Sequence, residues 1–225
     1  MSKRVWFAAI PITLSTAYLL WQHYSLTRRF NVKTTVGLPA LDISLPKEIV
    51  EDPSKYVICH EHSSKSVLSS TLPKNLKAND VLTEYLRFVM TKFAWSPQAY
   101  VMWYLIKSPE RRETFKATHI QSLNFEEGDV VCGAYTVINR NPTKVEIAFG
   151  AYEGYTGPTV TGRMVISIEP DDDDTKLQND VYMWRKVDEK PTLLESGVGQ
   201  WVHEFFVGRL IGSGVMHLQS LARRN

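Results

Sequence analysis

Between residues 119 and 186 the chain repeats one pattern, an extended apolar run followed by a tight polar turn. The runs cover 119–125, 130–139, 144–152, 160–169 and 176–186. They are punctuated by Glu127-Gly128-Asp129, Asn141-Pro142, the glycine-rich stretch 154–158, and Pro170 with four aspartates. Val145, Ile147 and Phe149 alternate with Glu146 and Ala148, and Met164, Ile166 and Ile168 alternate with Arg163 and Ser167. Period two sends successive side chains to opposite faces, and turns this short join antiparallel neighbours. The apolar face of such a meander has to be covered. The candidate cover follows at once: from Gly199 to Arg224 the spacing becomes helical, with Trp201, Phe205, Val207, Leu210, Ile211, Val215, Leu218 and Leu221.

Upstream, 56–61 (YVICHE) reads as a strand. Asn79 or Asp80 can cap a helix running to about Trp95, with Val81, Leu82, Tyr85, Leu86, Val89 and Phe93 as its apolar stripe. Ser96-Pro97 supplies an N-cap and an N1 proline for a second helix, and Ser108-Pro109-Glu110 repeats the start signal. The order is strand, two helices, strand meander, long helix, which is an α+β plan.

The first residues have a different character. Residues 5–24 (VWFAAIPITLSTAYLLWQHY) carry no charge, and a helix of that length rises about 30 Å, enough to cross a hydrocarbon core. Trp6, Trp21 and Tyr24 sit near the ends, with Lys3-Arg4 and Arg28-Arg29 outside them. No small-x-small cleavage site follows Leu20, so the segment reads as a single-pass anchor and not as a cleaved signal. The expected division is an anchor at 1–29, a tether at 30–54 marked by Gly37, Pro39, Pro46 and Pro53, and a folded domain at 55–225. The flanking charges leave the orientation open. Because Asn141-Pro142-Thr143 is a blocked glycosylation sequon, a body facing the cytoplasm is favoured.

Charge narrows the partners. Four of the 26 Lys and Arg lie in residues 1–29, leaving 22 against 24 acidic residues in the rest. A body without a basic surplus lacks the concentrated positive face that nucleic acid requires. Cys59 and Cys132 stand alone in apolar runs, without CxxC or paired spacing, and are read as buried thiols.

Few motifs carry chemistry. His60 and His62 share a strand face and could fill two corners of a metal site, but no third ligand accompanies them. His203-Glu204 lacks the second histidine of HExxH, and the glycines at 208–214 lack the Lys-Ser/Thr of a phosphate loop. The aspartates at 171–174 lack the ligand spacing of a calcium loop and read as a solvated turn. No metal and no cofactor is therefore expected.

The element order resembles the helix-grip plan of START-like domains, the superfamily of birch-allergen-like and polyketide-cyclase-like proteins. In detail it is similar to an uncharacterised branch sometimes found behind a nucleotide-binding reductase domain. The likeness rests on SPQAYVMWYLIK, Phe125-Glu126-Glu127-Gly128-Asp129 and Glu146-Ile147-Ala148-Phe149-Gly150, within roughly 80–222. That branch carries a proline and a histidine near the start of its last helix. Here His203 stands without the proline, so no role passes to it by resemblance.

The resemblance implies a curved antiparallel sheet wrapped around the C-terminal helix, enclosing a mostly apolar cavity. The residues expected to give that cavity its polar and aromatic groups are Tyr135, Arg163, Asp180, Trp184, Trp201, His203 and Phe205. Trp201 and Phe205 are expected on one helix face with Gly208 and Gly212. A one-residue slip in register exchanges the sheet faces. The implied function is a cofactor-free cyclase, isomerase or dehydratase of secondary metabolite biosynthesis, with a hydrophobic polyketide or terpenoid substrate and the bilayer at 5–24 as its second partner. A lipid-ligand carrier and an assembly factor are the alternatives. An enzyme should set at least two titratable groups with shifted pKa values in the cavity, a carrier should leave it nearly all apolar, and an assembly factor should fill it.

Overall fold

The computed structural model describes residues 31–36, 43–151 and 160–224. The expected anchor at 5–24 and the turn at 154–158 lie outside them. Among the described residues, no helix is long and apolar enough to cross a membrane.

The described strands are β1 (Asn31–Val36), β2 (Tyr56–Leu68), β3 (Val130–Val131), β4 (Tyr135–Arg140), β5 (Lys144–Phe149), β6 (Thr161–Asp171) and β7 (Asp174–Lys186). They form one antiparallel sheet in the order β1-β2-β7-β6-β5-β4-β3. The meander β3 to β7 is sequential, and β2 returns to pair along the whole of β7, Tyr56 against Lys186 and Leu68 against Asp174. The helices are α1 (Lys47–Glu51), α2 (Ala78–Ala94), α3 (Pro97–Leu105), α4 (Pro109–Glu113), α5 (Ala117–Ser122) and α6 (Gly197–Ala222). Ser96 and Ser108 cap α3 and α4, accepting from the backbone N–H of Ala99 and Arg111, and Ser196 caps α6 in the same way at Gly199.

An antiparallel sheet closing on a long C-terminal helix fits the helix-grip arrangement. The main core lies on the sheet's inner face, where Val137, Val145, Ile147, Ile166, Ile168 and Leu177 meet Leu82, Tyr85, Leu86 and Val89 of α2 and Val215 and Leu218 of α6. Gly214 allows the close crossing of α6 over α2, since a Cβ there would run into Tyr85 and Val89. Phe125-Glu126-Glu127-Gly128-Asp129 builds the turn that starts the meander. The Asp129 carboxylate accepts from the Glu126 N–H at 2.8 Å, and the Gly128 N–H donates to the Val137 carbonyl at 2.9 Å. That motif holds the fold together.

Three expectations are corrected. Residues 119–125 are not extended: Ala117–Ser122 makes one and a half helical turns with Ile120 fully buried, a stretch too short for periodicity to separate helix from strand. The run 130–139 is broken, because Cys132 and Gly133 adopt positive φ and turn the chain between β3 and β4. The stretch at 30–54 contributes an edge strand and the helix α1, with Ile49 fully buried. Pro46 immediately precedes α1 and Pro53 follows it. The aspartates 171–174 form the exposed turn between β6 and β7, and both cysteines are free and buried.

Candidate functional site

Where α6 leaves the filled core and runs back toward its N-terminus, the inner face opens into a cavity of about 510 Å³. Tyr85, Met90 and Phe93 of α2 form one wall, and Phe206, Leu210 and Ile211 of α6 another. Met164, Ile166, Val181 and Met183 form the floor, with α3 over the mouth through Val101, Met102 and Leu105. Helix α3 buries only Ala99, and Tyr100 and Tyr104 are about two-thirds exposed, at 67% and 69%. Gly162 shapes the far wall, since a Cβ there would occupy the place of the Phe149 ring. The lining is apolar apart from Gln98, Asn179, His203 and the phenols of Tyr85 and Tyr135. Burial pushes both phenols well above the ordinary tyrosine range, so they stay protonated and offer hydrogen-bond donors.

His203 reaches the cavity from the first half of α6, and its Nδ1–H donates to Oε2 of Glu61 at 2.8 Å. Glu61 is 3% exposed, and its second oxygen, Oε1, has no partner in the protein. A carboxylate accepts only, so the shared proton sits on Nδ1 and Nε2 carries the free lone pair. The carboxylate fixes the ring and stabilises the imidazolium that forms if Nε2 takes a proton. Along β2, Ser63 shares Glu61's face and stands directly across from Asn179 of β7, whose neighbours on that face are Leu177 and Val181.

The outer face carries a second cluster. His60 Nε2–H and His62 Nδ1–H both donate to Oδ1 of Asp180 at 2.8 Å, and the Tyr182 ring stacks on His60 with centroids 4.2 Å apart. Burial raises the Asp180 pKa, but the two histidine hydrogen bonds and charges outweigh it and hold the carboxyl below its ordinary value. Segment 43–55 lies against this face. Glu146 accepts from the Ser44 N–H at 2.7 Å, and Arg163 Nε donates to the Ser44 carbonyl at 3.1 Å. Among the described residues, no three His, Cys, Asp or Glu side chains are grouped to hold a metal ion.

The seven residues expected in the pocket are therefore divided. Tyr135 and His203 line the cavity. Arg163, Asp180 and Trp184 lie on the outer face, where the Arg163 guanidinium sits 5.5 Å from the Trp184 ring centroid. The expectation that they point inward is corrected. β7 is apolar at both parities, with Val181 and Met183 inward and the buried Tyr182 and half-buried Trp184 outward. Trp201 and Phe205 stack on each other with centroids 6.2 Å apart, but the cavity face of α6 is His203, Phe206, Val207, Leu210 and Ile211. Gly214 packs closely on that same face, where a Cβ would run into Tyr85 and Val89. Sequence reading passed over Glu61, Ser63 and Asn179. The available signal was parity: Glu61 lies between two histidines on the opposite face, and Asn179 interrupts the stripe of Val181 and Met183.

No protein-family model matches the chain, and no curated protein is significantly similar to it. Two solved structures resemble it loosely. The crystal structure of CalU16 from Micromonospora echinospora is 12% identical, with 85% of this chain and 98% of that chain covered, at a TM-score of 0.33. The solution NMR structure of CalU16 is 10% identical, with 86% and 96% covered, at a TM-score of 0.32. Overlap this loose carries no functional argument.

Proposed function

We propose that this protein is a START-like enzyme of the cyclase, isomerase or dehydratase kind, held at a membrane by residues 5–24 and acting on a hydrophobic polyketide- or terpenoid-like molecule. The observation that carries the reading is the Glu61-oriented His203 in an otherwise apolar cavity. Such reactions turn on moving one proton from carbon or oxygen and returning it elsewhere. His203 Nε2 accepts that proton, Glu61 steadies the charge, and the buried phenols donate to a carbonyl whose oxygen gains negative charge. The apolar surroundings strengthen each of these interactions and position the substrate. An unfilled cavity speaks against the assembly factor, and the Glu61-oriented His203 favours an enzyme over a carrier with a purely apolar cavity.

An enolisable bicyclic ketone, 2-tetralone, tests the reading in heavy water. Wild-type protein is expected to speed saturable deuterium entry beside the carbonyl, and His203→Gln to bind the ketone but lose the acceleration. Equal exchange in both proteins would contradict the enzyme reading and leave a carrier. Removing residues 1–29 is expected to shift the folded protein from the membrane pellet to the supernatant. A truncated form that still pellets through carbonate would contradict the anchor.

A further inference from the structure

Three buried oxygens on one strip of the inner face have no partner among the described residues: Glu61 Oε1, Ser63 Oγ and Asn179 Oδ1. Their residues are 3%, 1% and 8% exposed. Ser63 and Asn179 are directly paired across β2 and β7, and Glu61 is paired with Val181 one step along that face. Asn179 and Val181 both line the cavity, so the strip borders the cavity beside His203.

Leaving a buried acceptor unpaired costs about 1–3 kcal/mol, and three in adjacent places are not explained by packing. An apolar floor would have been met by Leu or Val at these positions, as it is at Val181. The chemistry of the strip is one-sided. Glu61 Oε1 and Asn179 Oδ1 only accept, and the Ser63 hydroxyl both accepts and donates. The complement is a ligand end that donates.

We propose that Glu61, Ser63 and Asn179 form a hydroxyl-recognition subsite, which selects a substrate bearing a phenol, enol or alcohol on the end that enters toward β2 and β7. The inference rests on the proposed enzyme reading for the word substrate, and on geometry alone for the hydroxyl. The apolar remainder of the molecule lies between α2 and α6, with α3 above it. A donor seated here stands beside the imidazole of His203, so the group recognised adjoins the group that reacts. A site built to pair a hydroxyl discriminates strongly against an analogue lacking it, because the analogue leaves the buried acceptors unpaired.

Binding of 2-naphthol and of its methyl ether, 2-methoxynaphthalene, tests the subsite by equilibrium dialysis on the full chain in nanodiscs, with empty nanodiscs subtracted. The two probes share a ring system and differ in the donor. Wild-type protein is expected to hold the naphthol at least about tenfold tighter. Asn179→Leu, and the double variant S63A/N179L, are expected to bring the ratio to within about twofold while the ether binds as well as before or better. No preference in wild type, a preference that survives the double variant, or no saturable binding of either probe would each overturn the subsite. His203→Gln separates the two readings. Lost deuterium exchange with the naphthol preference kept leaves both standing. Exchange unaffected by His203→Gln overturns the enzyme reading alone, and lost preference with exchange intact overturns the subsite alone.

Discussion

The sheet carries a histidine–carboxylate cluster on each face, the outer built from β2 and β7 and the inner from Glu61 of β2 and His203 of α6. On the outer face one oxygen of Asp180 serves two histidines, and the Tyr182 ring stacks on His60. On the inner face Glu61 serves one histidine, keeps an oxygen unpaired and borders a cavity of about 510 Å³. The same chemical types thus do different work. The outer cluster commits its carboxylate to two histidines, with the Tyr182 hydroxyl beside it unpaired among the described residues, and the inner one leaves an oxygen of its carboxylate unpaired beside the cavity.

The sharpest way to break that contrast is by conservative substitution at each carboxylate. Glu61→Gln keeps the shape and removes the charge, and is expected to lower proton exchange about a hundredfold or more while costing under ~1 kcal/mol in urea unfolding. Asp180→Asn is expected to leave exchange within about twofold. Reversed results would exchange the roles of the two faces. Asp180→Ala comes next in size. It deprives His60 and His62 of a shared buried acceptor and is expected to cost about 3 kcal/mol.

Acid unfolding refines the outer half of the comparison. Asp180 has a lowered carboxyl pKa in the folded state, so its contribution is complete above the unfolded value of about 3.9 and is lost as pH falls through the folded one. Melting temperature should therefore drop as pH falls below about 4, and Asp180→Asn should make that drop shallower, with His60, His62 and Tyr182 unchanged around it. The smallest effects concern α6, whose two ends differ in the same way. Gly214→Ala drives a methyl into Tyr85 and Val89 at the filled end and is expected to cost ~1–3 kcal/mol. Gly197→Ala at the open end meets nothing within 4 Å and should stabilise by ~0.5 kcal/mol, an equal response being evidence against the distinction.

Much of the architecture was legible because alternation and capping are local. The caps Ser96 and Ser108, the stripe of α2 and the parity of β5 and β6 each follow from neighbouring residues alone. β2 was read too short, since His62 to Ser66 look like a polar loop until β7 pairs with all five and β1 with His62 to Ser64. The site was less legible. His203 was visible as a polar group on an apolar helix, but its partner Glu61 lies 142 residues earlier and meets it only through the pairing of β2 with the rest of the sheet. Asp180 and Trp184 were misplaced because both faces of β7 are buried, which erases the alternation that reports which way a side chain points.

Nitrogen-15 spectra of the histidine rings test the central claim most directly, because the chain has only six histidines and each ring nitrogen reports its own proton. The account predicts that His203 in the free protein carries its proton on Nδ1, and that adding 2-naphthol shifts its Nε2 resonance while those of His60 and His62 stay in place. A His203 protonated on Nε2, or a ligand that moves the outer-face histidines and leaves His203 unchanged, would contradict it.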